Sequence, residues 1–102
     1  MAKIKVIIKE PGQLARFEKI ENTIEEFQRI VGGYIEQISI ASDLVILCDE
    51  DGKLKELAPS IIVGALEIVG TVIFAGKKNQ EFTNVPLSRA DFESTFPHLF
   101  RR

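Results

Sequence analysis

The chain has 102 residues, 45% of them hydrophobic and 27% charged, with 13 Lys plus Arg against 15 Asp plus Glu. A chain of this length buries about two-thirds of its unfolded surface, which is enough for one globular domain over residues 1–102. A formal net charge of -2 argues against a general nucleic-acid-binding surface, which needs a basic excess. One Cys and one His exclude an internal disulfide and a Cys/His zinc site, and we expect no metal or other cofactor.

The apolar segments predict neither an export signal nor a membrane span. Residues 1–9 alternate charged and apolar positions and lack the long apolar core of a secretory signal. The longest apolar region, 61–76, contains Glu67 and three glycines and is too short to cross a bilayer. Cys48 lies in an apolar run, and a free thiol there fits a reducing compartment. We therefore predict a cytoplasmic protein that does not bind membranes.

The first third of the chain predicts a strand, a turn and a helix. Residues 3–9 are rich in β-branched side chains and alternate like a strand with one buried face. Pro11-Gly12 ends this strand, and residues 15–20 either pair back as a second strand or form a helix.

A helix over about 23–31 begins at Asn22 or Thr23, each followed three residues later by a glutamate, as in a capping box. Glu25 and Arg29 are spaced for an ion pair, and Gly32-Gly33 ends the helix. Its buried face carries the apolar residues at helical spacing: Ile24, Phe27, Ile30 and Val31.

The middle of the chain predicts three further strands. Residues 34–40 form one, and the uninterrupted apolar run 44–48 is typical of a central strand covered on both faces. Residues 49–53 favour a solvent-exposed turn with a positive φ at the Asp51-Gly52 step. Residues 65–75 form the last long strand, which bends at Gly70.

The tail predicts a second, short helix over about 89–96. Ser88 and Asp91 form a capping pair, and Pro97 disfavours the helical conformation in the residue before it. The predicted fold is therefore α+β: a mainly antiparallel sheet of four or five strands, one amphipathic helix on one face and a short C-terminal helix.

Few residues suggest a site of chemistry. Glu36 and Glu67 interrupt apolar strands, and alternation places Glu36 on the same side as Tyr34. We take Tyr34 and Glu36 as candidate ligand-binding residues in a pocket between the helix and the sheet. Cys48 fits a buried, inert thiol, and His98 fits a surface position near a chain end. We identify no catalytic residue and no metal ligand.

The phenylalanines are concentrated towards the end of the chain, where 4 of the 7 lie after residue 81. In one alternative the tail packs against its own sheet, as small domains need every apolar side chain for the core. In the other, Phe92, Phe96 and Phe100 anchor a second copy or another partner.

Several sequence blocks together resemble a known family: 20–25, 31–36 (VGGYIE), 49–54 (DEDGKL) and 68–71. It is a family of small bacterial and phage proteins classified as a domain of unknown function, whose members often occur in prophages and conjugative elements. The resemblance covers about residues 3–76 and departs at Ser60, where relatives carry asparagine. The family has no established catalytic residues, so none can be assigned from it; the resemblance implies an accessory role in a mobile element.

We therefore expect a non-enzymatic binding or regulatory module of a phage or mobile element. It would act through a sheet edge or the tail, with a second copy or a host or phage protein as partner. The alternative is a small-ligand-binding protein or a carboxylate-based enzyme that uses the pocket between helix and sheet.

Overall fold

The computed structural model describes residues 2–100. In chain order the elements are β1 (Lys3–Lys9), β2 (Arg16–Glu21), α1 (Ile24–Val31), β3 (Ile35–Ala41), β4 (Leu44–Asp49), β5 (Pro59–Val63), β6 (Leu66–Val69), β7 (Val72–Lys78), β8 (Glu81–Thr83), α2 (Arg89–Thr95) and α3 (Pro97–Phe100). Within the described residues, no helix has the length and apolar character needed to cross a membrane.

All strand pairs are antiparallel. The main sheet has six strands in the order β2-β1-β7-β4-β3, with β8 paired to β7, and β5 and β6 form a separate two-stranded sheet. The α+β prediction with an antiparallel sheet is confirmed. Residues 15–20 belong mostly to a strand rather than a helix, because β2 pairs with residues 3–8 of β1.

The strand predicted over residues 65–75 is instead two strands in different sheets. Gly70 lies between β6 and β7 with φ of 77°, a left-handed conformation that glycine adopts without strain. The chain therefore leaves the small sheet at Gly70 and enters the middle of the large one. This turn, together with the unpredicted strands β5 and β8, explains why the structure has eight strands where the sequence predicted four or five.

β4 is the central buried element. All six of its residues, Leu44–Asp49, are buried, as the uninterrupted apolar run predicted. Val45 and Leu47 face the core beneath α1, whereas Leu44, Ile46 and Cys48 face the core on the opposite side of the sheet. Both faces of the sheet are thus covered.

α1 covers one face through Phe27 and Val31, both buried. The Thr23 hydroxyl accepts a hydrogen bond from the backbone N–H of Glu26, and Gly32 caps the other end in the left-handed conformation, as predicted. Two details of the prediction are wrong. Ile24 is 46% exposed because it is the first residue of α1 and the buried face begins at Phe27, and Arg29 pairs with Glu26 rather than Glu25.

The phenylalanine-rich tail covers the other face of its own sheet. Phe92 is completely buried and makes edge-to-face contacts with Phe17 and Phe74. Phe100 stacks on Phe17 and is 9% exposed, and Phe96 is partly buried against the same core. The tail thus packs against its own sheet, as in the first alternative, and a partner surface at Phe92, Phe96 and Phe100 stays a prediction.

Local signals at the start and end of α2 agree with the sequence. The Ser88 hydroxyl accepts a hydrogen bond from the backbone N–H of Asp91, and Phe96 is the C-cap residue before Pro97. The short helix α3 then follows, and the Leu99 carbonyl accepts a 2.7 Å hydrogen bond from the N–H of Ala15. The tail is thus fixed at both of its helices.

We expect Phe92→Ala to lower the free energy of unfolding by about 3–5 kcal/mol, since it removes a buried ring and leaves a cavity. Urea unfolding measures the change. Ile24→Ala serves as a control at an exposed apolar position, and we expect its cost to be small by comparison. Equal costs for the two variants would contradict the packing of the tail.

Candidate functional site

A groove opens on the face of the sheet that carries the tail, between β3–β4 and the β5–β6 hairpin. It contains a cavity of about 290 Å³. One wall comes from β3 and β4, another from β6, and the third from the turn after β4. The residues that line it are Glu36, Ile38, Cys48, Asp49, Glu50, Gly52, Lys53, Leu54, Leu66, Glu67, Ile68 and Val69.

The groove combines an apolar interior with an acidic margin. Leu54 and Leu66 lie at its border and are 85% and 42% exposed. Three glutamates and one lysine supply the charge around these leucines: Glu36, Glu50, Glu67 and Lys53. The site therefore suits an apolar group that carries or adjoins positive charge.

The turn that forms the third wall is anchored by Asp49. Its side chain is 2% exposed; one oxygen, Oδ2, lies 2.6 Å from Lys55 Nζ, and the other, Oδ1, accepts a 2.8 Å hydrogen bond from the backbone N–H of Asp51. Burial raises the pKa of this carboxyl, but the bonds from Lys55 and Asp51 outweigh burial and hold the pKa below its usual value. The charged form of Asp49 therefore stabilises the turn.

Gly33 connects this anchor to the end of α1. A side-chain carbon at Gly33 would lie 2.7 Å from Lys55 Nζ and 2.8 Å from Asp49 Oδ2, so the ion pair occupies the space that a side chain would need. Lys55 also lies 3.4 Å from the carbonyl oxygen of Gly32. The VGGYIE block thus meets the segment that begins with DEDGKL: Gly32 and Gly33 lie against the ion pair of Asp49 with Lys55, the residue after that block.

The predicted solvent-exposed turn at residues 49–53 needs correction. Asp49 is buried in an ion pair, and neither Asp51 nor Gly52 has a positive φ; the left-handed residue is Glu56, with φ of 56°, three residues after the predicted turn. Glycine is needed at position 52 for space rather than for a positive φ, because a side-chain carbon there would lie 2.9 Å from Val69 Cγ2. The segment does not join two paired strands, so hairpin geometry does not apply to it.

The two candidate ligand-binding residues, Tyr34 and Glu36, do not line the same site in the structure. Glu36 lines the groove together with Glu67, whereas Tyr34 is 69% exposed and is absent from the lining. The groove also lies on the opposite face of the sheet from α1, since Ile38 and Cys48 belong to the tail-side core. The expected pocket near Tyr34 and Glu36, between helix and sheet, is therefore not where the cavity lies.

A second cleft does lie between α1 and the sheet, at its β2 end. Its side chains form ion pairs with one another: Arg16 with Glu10 and Glu18, and Arg29 with Glu26. Lys19 lines the cleft outside these pairs, and the three acidic and three basic side chains of the lining balance to a net charge of zero.

The thiol and the histidine are not arranged for catalysis. Burial, with Glu36 and Asp49 nearby, raises the pKa of the Cys48 thiol to about 11, so it is protonated near neutral pH. Its Sγ lies 3.8 Å from the carbonyl oxygen of Glu36, and His98 is exposed on α3. Among residues 2–100 no group of three or more His, Cys, Asp or Glu side chains is placed to hold a metal ion.

Sequence reasoning missed the leucines of the groove. Leu54 stands between Lys53 and Lys55, and an apolar residue between two lysines is a signal of an exposed apolar position. Leu66 carries no such signal, because only the separation of β6 from β7 brings it to the groove.

Comparison with known proteins assigns the family. Residues 4–97 match the family described as Domain of unknown function (DUF3846). The chain belongs to this family. The match extends beyond the resemblance at residues 3–76 and includes α2, so the tail helix is part of the family's domain. No curated protein and no solved structure matches the chain.

We expect Asp49→Asn to destabilise the protein by about 2 kcal/mol at pH 7, because it removes the charge from two charge-assisted hydrogen bonds. The pKa of Asp49 is lowered in the folded protein, so its contribution is complete above the usual value of 3.8 and is lost as the pH falls through the folded pKa. Urea unfolding of the wild type and of Asp49→Asn, at pH values from about 7 to below about 3, measures the difference in their free energies of unfolding. A difference that does not shrink at acid pH would contradict the assigned role of Asp49.

Proposed function

We propose that this chain is a single-domain, non-enzymatic binding module whose groove holds an apolar side chain of a partner protein. The observation that carries the proposal is the cavity of about 290 Å³ bordered by Leu54 and Leu66. Exposed apolar surface beside a cavity is typical of interaction sites, where a few side chains supply most of the binding energy. The high pKa of Cys48 supports a binding role over thiol catalysis.

The charges that line the groove indicate which residues the partner carries. The three glutamates of the groove outnumber Lys53, and Asp49 is already neutralised by Lys55. Complementary charge directs association and selects among partners. The partner segment is therefore an apolar side chain flanked by Lys or Arg. The same acidic margin, with the net charge of -2, disfavours nucleic acid as the partner.

The proposal includes the cellular location of the protein and its association with a phage or mobile element. A free, buried Cys48 supports a cytoplasmic location, where thiols stay reduced. The family resemblance supports a phage or mobile-element protein that binds a host or phage partner and regulates it. Its gene neighbourhood tests this: phage or conjugation genes beside it are expected, and a constant place among housekeeping genes would contradict it.

Selection from a displayed library of random peptides tests the groove. We expect the selected peptides to share an apolar residue next to Lys or Arg. Leu54→Asp and Leu66→Asp should each weaken the binding of a selected peptide by about tenfold or more, as expected for loss of an apolar anchor. Fluorescence anisotropy with the labelled peptide measures the affinity.

Ile24→Asp is the matched control, because it places the same charge at an exposed apolar position outside the groove. We expect it to bind the peptide as the wild type does. Selected peptides rich in Asp and Glu, or equal loss of binding in the control, would contradict the proposal.

A small organic ligand is the second candidate for the occupant of the groove. The cavity of about 290 Å³ favours it, because small-molecule pockets have volumes from about 300 Å³ upwards. In this case Glu36 and Glu67 would bind a cationic group of the ligand or act as carboxylate catalysts. A thermal-shift screen with amines and nucleosides tests it: a stabilising compound whose effect is lost in Glu36→Gln supports it, and the absence of any shift counts against it.

A further inference from the structure

The two edges of the main sheet differ in their protection. β2 and β3 are the first and last strands in the order β2-β1-β7-β4-β3, and neither has a partner on its outer side among residues 2–100; the three-residue β8 lies off this order, paired to β7. Of the six residues of β2, four are charged: Arg16, Glu18, Lys19 and Glu21. The seven residues of β3 include one charge, Glu36, and no proline. Natural edge strands prevent pairing with charges, prolines and bulges. β2 is protected by its charges, whereas the bulge of β3 lies at its end, between Ser39 and Ala41, and leaves residues 35–39 regular and open to pairing.

The direction of the backbone groups on β3 follows from its pairing with β4. The N–H of Glu50 donates a 2.9 Å hydrogen bond to the carbonyl of Tyr34, which makes these two residues a hydrogen-bonded pair. Such pairs alternate along an antiparallel ladder, so Glu36 and Ile38 also bond towards β4. The residues between them direct their N–H and C=O groups to the open edge: Ile35, Gln37 and Ser39.

We propose that two copies of this chain pair antiparallel along β3, with the two-fold axis at Gln37, and form one continuous sheet. In this register Gln37 lies opposite itself, and Ile35 of each copy lies opposite Ser39 of the other. The outward backbone groups of all three residues then bond to one another. No other strand edge is needed, so the assembly closes as a dimer.

Charge excludes the neighbouring register on one side. An axis at Glu36 would also match outward groups, but it would place the two Glu36 side chains directly opposite each other. Like charges in that position are destabilising. With the axis at Gln37, Glu36 lies opposite the partner's Ile38 instead.

The bulge favours the same axis over the register on the other side. An axis at Ile38 would set Ile35 opposite the partner's Ala41, so the paired stretch would run through the bulge between Ser39 and Ala41. With the axis at Gln37, the paired stretch ends at Ser39, before the bulge. Tyr34, whose side chain is 69% exposed, then lies just outside the paired stretch.

The dimer also bears on the groove. Ile38 lines the groove, and the partner's Glu36 would lie opposite it on the same face of the sheet. Each groove would then receive acidic charge from both copies. The proposed dimer depends only on the open edge of β3, and it does not require the groove to bind a ligand.

Light scattering after size-exclusion chromatography tests the dimer in the full chain. We expect twice the chain mass of 11.4 kDa. Gln37→Lys and Gln37→Glu should each elute as monomers, because each sets two like charges face to face at the axis. Mixing the two variants should restore a dimer, since Lys and Glu then lie opposite each other.

Lys19→Gln on β2 is the control, since it changes a charge on the protected edge; it should remain dimeric. Circular dichroism of each variant establishes that it is folded. A wild type that is monomeric at every concentration up to its solubility limit would overturn the proposal. So would a dimer that persists in both Gln37 variants, or a mixture that fails to pair.

Discussion

The buried carboxylate of Asp49 determines how the two sides of this protein are connected. It lies at the end of β4, the strand buried on both faces, and it is 2% exposed. A carboxylate at that depth must be paired, and Lys55 together with the N–H of Asp51 supplies the partners. The pairing folds the segment after β4 back over the sheet, and this segment forms a wall of the groove. Gly33 leaves the space that the ion pair occupies, so the end of α1 belongs to the same contact.

The position of the groove follows from the way the tail-side face is covered. Phe92 and its aromatic neighbours cover the part near Phe17 and Phe74, and Ile61 and Ile68 of the small sheet cover the part near β4. The groove is the gap that remains beside β3. On the other face α1 is the covering helix, and the cleft at its edge is lined by ion-paired side chains and Lys19.

Much of the fold could be predicted because its signals are local. The caps at Thr23 and Ser88, the apolar run of β4 and the proline after α2 all act through neighbouring residues. The site could not be predicted in the same way. Leu66 reaches the groove only because the chain turns at Gly70, and Asp49 is buried because Lys55 meets it. Alternation places Tyr34 and Glu36 on the same side of the chain, yet only Glu36 lines the cavity. The opposite wall of the cavity belongs to β6 of the small sheet, and its position cannot be predicted from the sequence of β3.

The central claim is that the groove anchored by Asp49 is the binding surface. Amide chemical shifts of the ¹⁵N-labelled protein, titrated with a peptide selected for apolar and basic residues, test it most directly. We predict shifts at the lining residues of β3, β6 and the 49–54 segment, and a weaker response in Lys55→Met, which leaves Asp49 without its cation. Shifts confined to α1 and β2, or an undiminished response in Lys55→Met, would contradict the account.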